Sequence, residues 1–165
     1  MDDPFLPSSP GFDLGIYEMK RMVLSPAHWA TYNLPYSLKW TVTRFDKANA
    51  SNVPKDAQGV YSFLIQPGIA QHSACSYLMY VGKTEKQGLR KRFLQYFEHI
   101  AETSHRAHIS KLIRQWKGHL WFCYASIADH TLIDGTEQAL LNSYLPPYNH
   151  SYRGVVAKQI KHLFA

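Results

Sequence analysis

Between residues 59 and 66 the chain alternates, with Tyr61, Phe63 and Ile65 on one face and Val60, Ser62 and Leu64 on the other, the period-two pattern of a β-strand. Pro67-Gly68 breaks it, and a second strand is predicted over 76–81, ended by Gly82. A breaker-containing loop between two strands points to an antiparallel hairpin. Leu89, Phe93, Phe97 and Ile100 then recur at helical spacing, predicting a helix over 89–102 with a core stripe. Arg92, Tyr96 and His99 form a separate stripe on it, four and three residues apart, and so project together. A second amphipathic helix over 107–117 turns Ile109, Leu112, Ile113 and Trp116 inward, turns Lys111, Arg114 and Lys117 away, and is closed by Gly118. The apolar run LWFCYASI over 120–127 reads as a central strand. Asp134 or Thr136 is expected to cap a helix running to about 145 that Pro146-Pro147 stops. Val156, Ile160 and Leu163 mark a last amphipathic helix over 153–164.

The first third is less regular. Residues 1–11 read as loosely attached, 17–24 as a short helix, Pro26 and Pro35 as interruptions, 37–45 as a strand rich in Thr, Val and aromatics, and 47–56 as a polar linker. The expected fold class is therefore α+β, a small, mostly antiparallel sheet flanked by helices in the order β-β-α-α-β-α, followed by one more helix. The expected organisation is an N-terminal extension, partly ordered (1–56), a central domain (57–150) and a C-terminal amphipathic helix (151–165).

Composition narrows the class. A chain of 165 residues, 45% hydrophobic and 18% charged, suits a soluble domain with a sizeable core. No apolar run is long enough to span a bilayer, and the acidic, Pro-rich start MDDPFLPSSP is unlike a signal peptide, so a cytoplasmic protein without membrane association is expected. Two cysteines, Cys75 and Cys123, are too few and too far apart for a zinc cluster or a disulfide framework. Among the histidines, His105 and His108 lie three apart with His99 close by, but no fourth ligand stands at zinc spacing. The net charge is +6, and the segment 83–117 alone carries nine Lys and Arg against three Glu. The rest of the chain is neutral. A basic block of this kind draws polyanions, nucleic acid first among them.

Five short stretches carry candidate chemistry: Gly59-Val60-Tyr61, Tyr80-Val81-Gly82 followed by Lys83-Thr84, the helix segment 89–97 (LRKRFLQYF), Glu137 at the start of a helix, and Asn149 just after Pro146-Pro147 and Tyr148. In this order and on these elements, they resemble the motifs of the GIY-YIG nuclease superfamily over about 59–149. The literal Gly15-Ile16-Tyr17 spells the family's first half-motif, but no matching second strand follows it, and it reads as coincidence. The resemblance implies hydrolysis of phosphodiester bonds, with Tyr61 orienting or deprotonating the attacking water and Tyr80 beside it on the adjacent strand. It further implies Arg92 on the scissile phosphate, Lys83 as a nearby point charge, Tyr96 as a second phosphate or proton-relay group, Asn149 holding the loop beside the glutamate, and Glu137 binding Mg²⁺ or Mn²⁺. Chemically the set is coherent: hydrolysis needs an activated water, a cation at the phosphate and stabilised transition-state charge. Guanidinium forks fit phosphate oxygens, and one carboxylate plus waters suits Mg²⁺. Arg90 competes with Arg92; Arg92 is preferred because it shares a helix face with Tyr96.

Each residue also has a plain explanation. Tyrosines favour strands, a glutamate at a helix start is favoured by the macrodipole, and surface cations are commonly just solvated. A tyrosine with its ordinary pKa of about 10 is moreover a poor base at neutral pH unless nearby cations lower it. Relative to most members of the family, the interval from Tyr61 to Tyr80 is long, valine replaces isoleucine in both half-motifs, and the Lys83 to Arg92 spacing is slightly stretched. The expected partner is DNA, with RNA left open, gripped by Lys83, Arg90, Lys91, Arg92, Lys111, Arg114 and Lys117. With no large targeting domain evident, the resemblance favours a small restriction or defence nuclease, or one guided by a partner protein. Residues 12–56 and the last helix are the candidates for DNA contacts or a homodimer interface. The alternative is a catalytically silent nucleic-acid-binding or scaffold module on the same fold.

Overall fold

In the computed structural model, residues 20, 22–31, 34–67, 75–98, 107–150 and 152 are described. Along them run α1 (Pro26–Thr31), β1 (Thr41–Arg44), a 3₁₀ turn (Lys47–Asn52), β2 (Gly59–Ile65), β3 (Tyr77–Thr84), α2 (Leu89–Glu98), α3 (Ala107–Gln115), β4 (Leu120–Ser126), a second 3₁₀ turn (His130–Leu132) and α4 (Ile133–Tyr144). The class is α+β, with a four-stranded antiparallel sheet in the order β1-β4-β2-β3.

Register explains why the alternation in β2 matters. Tyr61 lies opposite Gly82 on β3 and Tyr124 on β4, and Phe63 lies opposite Tyr80 and Phe122. On that face the rings join Leu89, Phe93 and Tyr96 of α2 and Ile109, Leu112 and Ile113 of α3 in the main core. Phe122 is fully buried among the rings of Tyr61, Phe63 and Phe93, with centroids 5.1–5.6 Å away. Burial of a side chain of this size stabilises the fold by roughly 1.5–3 kcal/mol. The opposite face is smaller: Val60, Ala125 and Ile127 pack with Ile133 of α4 and with Leu38 and Leu140.

Several sequence expectations need correction. Gly82 does not end β3, which continues to Thr84, because the β2–β3 pairing persists to Gly59 opposite Thr84. The strand expected over 37–45 shrinks to β1, and Pro26 opens a helix rather than interrupting one, since a proline's fixed φ suits the first helical position. Neither Asp134 nor Thr136 caps α4. The preceding 3₁₀ turn is capped instead by Asp129, whose carboxylate accepts from the Thr131 N–H, and α4 begins without a side-chain cap. Thr136 turns its hydroxyl back to the Leu132 carbonyl and meets the Tyr36 hydroxyl. Tyr96 is buried in the core, not on a separate projecting stripe. Trp116 falls in the turn after α3 and is only partly buried. The segment 41–53, read as belonging to an extension, supplies the sheet's fourth strand and the fully buried Val53. The short helix expected over 17–24 is not formed at residues 20 and 22–24; the expectations for 1–11, for 17–19 and 21, for the tip of the β2–β3 loop, for His99, Ile100 and His105, and for the helix over 153–164 fall outside the described residues.

Candidate active site

One open pocket of about 300 Å³ is lined by Tyr61, Tyr80, Lys83, Thr84, Glu85, Lys86, Gln87, Arg92 and Glu137. Its walls come from β2, β3, the turn after β3, α2 and α4. The five residues Tyr61, Tyr80, Lys83, Arg92 and Glu137, singled out from separate stretches of sequence, thus share one cavity. A second, smaller cavity, lined in part by Tyr80, Glu137, His108, Asn149 and His150, adjoins it.

The tyrosines are set by the hairpin. Tyr61 is 1% exposed, and its hydroxyl lies 2.6 Å from that of Tyr96, which reaches in from α2. Burial, then the nearby Tyr61 and Tyr80, push the Tyr96 phenol well above the usual tyrosine range. Tyr96 therefore keeps its proton and can donate it to the Tyr61 oxygen. Gly82 makes room for this arrangement. A Cβ there would stand 2.6 Å from the Tyr61 hydroxyl oxygen and 2.9 Å from the Tyr80 ring, closer than side-chain carbons approach. Gly59 has a similar role: its φ is +155°, and a Cβ would stand 2.1 Å from the Ala125 carbonyl oxygen. Gly82→Ala is expected to displace the Tyr61 ring at a cost of about 1–3 kcal/mol. Chemical denaturation measures it; unchanged stability would show that the tyrosines need no such gap.

Lys83 is more constrained than a free point charge. Its ammonium lies 2.7 Å from Glu85 and 3.8 Å from Glu137 and is hydrogen-bonded to Asp134. Burial alone would lower its pKa, and is the largest single influence. The hydrogen bonds from Asp134 and Glu85 and the attraction of Glu137 and Asp134 together outweigh it, so the value stands above that of an ordinary lysine. Asp134 and Glu85 were missed as site residues from the sequence. Asp134 was read only as a cap, although its position three residues before Glu137 on a helix is a signal that the two share a face. Among the described residues no group of three or more His, Cys, Asp or Glu is placed to hold a metal unaided. The acids gathered at Lys83 offer oxygen donors only, a set that fits a hard, strongly hydrated divalent ion taking few protein ligands.

The two arginines of α2 differ in what they hold. Arg90 engages the carbonyls of Val53 at 2.7 Å and Ser51 at 3.1 Å, tying α2 to the 3₁₀ turn. Arg92 lines the pocket and donates to the Gln95 amide oxygen at 3.2 Å, while its buried Nε lacks a hydrogen-bond partner. A buried donor of this kind is uncommon and leaves the guanidinium able to take an anion. Gln95 is itself held by Gln87 in reciprocal amide bonds of 2.7 and 3.0 Å.

Asn149 sits against β3. Its side-chain oxygen accepts from the Val81 N–H at 2.9 Å and its amide donates to the Val81 carbonyl at 2.8 Å. The Tyr148 N–H bonds the Met79 carbonyl at 3.0 Å. The chain after α4 thus closes the outer edge of β3, pinning Tyr80 between bonded neighbours. Asn149→Ala removes both bonds and leaves half-buried backbone groups unsatisfied, an expected loss of about 1–3 kcal/mol. Asn149→Asp, keeping the acceptor alone, should lose less. Denaturant midpoints that fail to rank wild type, Asp and Ala in that order would refute the role.

Lys91 and Lys111 are exposed, and Arg114 and Lys117 line a different cavity near the C-terminal end of α2. Cys75 is exposed and Cys123 buried, both as free thiols. His108 and His150 lie with ring centroids 4.7 Å apart. Among the described residues no helix is long and apolar enough to cross a membrane. Comparison of the chain with protein-family models, with curated proteins and with solved structures finds no match in any of the three.

Proposed function

We propose that this protein is a metal-dependent endonuclease of the GIY-YIG type, hydrolysing phosphodiester bonds in nucleic acid, with DNA the first substrate to test. One observation carries the reading: two tyrosines, a lysine, an arginine and a glutamate drawn from β2, β3, α2 and α4 line a single open pocket. Each alone has a bland explanation. Their convergence at the mouth of an otherwise aromatic core is what bland explanations do not anticipate.

In this reading the scissile phosphate lies against Arg92, whose unsatisfied Nε and fork geometry suit a phosphate oxygen. The attacking water is oriented by the Tyr61 hydroxyl, held in turn by protonated Tyr96. Tyr80, with its ring centroid 6.3 Å from that of Tyr61, contributes a second hydroxyl. Glu137 would hold Mg²⁺ or Mn²⁺, and a divalent ion bound there would supply charge stabilisation at the phosphate and acidify a bound water. Lys83 maintains the acidic cluster as its counter-charge instead of meeting the phosphate directly.

The ion pairs at Lys83 also favour a second reading, a silent nucleic-acid-binding module in which the ammonium occupies the ground a metal would need. Supercoiled, linear and branched DNA, and RNA of the same sequences, incubated with the purified protein with and without Mg²⁺, separate the two. Metal-dependent new ends support the nuclease. Binding without cleavage on every substrate supports the silent module.

A further inference from the structure

The second large cavity, about 480 Å³, is built from two different kinds of surface. Phe45, Phe97, Ile113 and Leu120 line it with apolar groups, and Arg44, Lys47, Arg114 and Lys117 surround them with four cations. Among the described residues Asp46 is the only acid in the lining, and its carboxylate is already engaged by the Ala48 N–H at 3.0 Å. Arg44 is held by a bond to the Gly118 carbonyl at 3.0 Å. The Phe45 and Phe97 rings stack with centroids 4.3 Å apart and planes 12° from parallel, a rigid aromatic pair in the wall. The cations come from both sides, Arg44 and Lys47 from the β1 end, Arg114 from α3 and Lys117 from the turn after it.

We infer that this cleft takes an unpaired nucleotide of the nucleic-acid substrate, its base against the Phe45–Phe97 wall and its flanking phosphates on the four cations. A surface that only tracks duplex phosphates has no use for an apolar floor, and an apolar ligand has no use for four cations. A nucleotide removed from its stack needs both. The volume lies in the range of pockets that enclose small ligands. The placement is also apt: Arg92, in the first half of α2, lines the candidate active site, and Phe97, near the end of α2, lines this cleft, about 7.5 Å further along the helix axis. A strand crossing α2 would thus meet both. The inference rests on the nuclease reading for its substrate class and narrows it to nucleic acids with an unpaired strand.

Fluorescence anisotropy in EDTA tests binding without cleavage. The probes are a labelled duplex, the same duplex with a single-stranded flap, and that flap carrying abasic residues, each flap made in DNA and in RNA. The expected result is at least tenfold tighter binding of a flap, in DNA or RNA, than of the duplex. That preference should be lost with the abasic flap and with Arg114→Glu/Lys117→Glu, whose exposed side chains leave the fold intact by thermal melting. Equal affinity for duplex and flap, or an abasic flap bound like the intact one, overturns the inference. So does a charge reversal that weakens duplex and flap alike, because the cleft would then contact phosphates only. Flap preference in a protein that never cleaves in Mg²⁺ would keep this inference and refute the nuclease, and cleavage without flap preference would do the reverse.

Discussion

Glu137→Gln is expected to lower the cleavage rate by about 10³-fold or more while leaving nucleic-acid affinity and folding close to wild type. The substitution keeps shape and removes the charge that a divalent ion would need, and loss of metal-derived stabilisation at a developing phosphorane amounts to several kcal/mol of barrier. The structural cost should be small. Glu137 stands 3.8 Å from the Lys83 ammonium, but that ammonium retains closer partners in Asp134 and Glu85. A pair of this kind, partly open to solvent, contributes about 0–1 kcal/mol to stability. Single-turnover cleavage, anisotropy and thermal melting on the same preparation read the three quantities separately. A Glu137→Gln protein that cleaves within tenfold of wild type would remove Glu137 from the reaction and take the metal with it. A large fall in melting temperature would instead mark Glu137 as a structural counter-ion for Lys83.

How far the chain could be read in advance depended on where each signal lay. Periodicity located β2, α2, α3 and β4 within a few residues, because each buries one face against a single core and the apolar spacing records that face. It failed at Gly82. Glycine usually marks the end of a strand, but here it stays within one because the Tyr61 ring fills the space a side chain would take, a relation between strands that no local rule reports. It failed again at Tyr96. The helix stripe assigned it to a polar face with Arg92, and the structure buries it under β2, where its hydroxyl finds that of Tyr61. The candidate pocket was legible as a set of residues but not as an electrostatic arrangement. Lys83, expected as a point charge near the phosphate, is anchored by carboxylates, and Arg90, expected among the cations gripping nucleic acid, also holds backbone carbonyls. Asp134 at Lys83, and Ser51 and Val53 at Arg90, are partners distant in sequence, which spacing along one element does not encode.

The hydroxyl pair gives the sharpest contrast between holding the site and acting in it. Tyr61→Phe and Tyr96→Phe each delete one side of the same 2.6 Å bond. Tyr61→Phe should therefore cost about 1–3 kcal/mol of stability by taking the partner of the fully buried Tyr96 hydroxyl, and Tyr96→Phe should cost less, because the Tyr61 hydroxyl also faces the pocket. Activity should separate the two more widely. Tyr61 lines the pocket and is proposed to orient the water, so Tyr61→Phe is expected to lower the cleavage rate by about 10²–10⁴-fold, the range for a positioned acid or base. Tyr96 acts only through Tyr61, and its loss should lower the rate about tenfold, in proportion to one lost second-rank hydrogen bond. The pH profile adds an independent reading. Tyr96 is pushed well above the usual range by burial and by its neighbours. Its neutral form is thus favoured by the fold, and the stability it lends is intact below pH about 10 and is lost as pH rises past that point towards its folded value. An alkaline limb in the rate below pH 10 must then come from another group and should survive Tyr96→Phe unchanged. If the two single variants lose activity equally, or if that limb disappears with Tyr96, Tyr61 is not the group that meets the water, and the proton would have to move through Tyr96 instead.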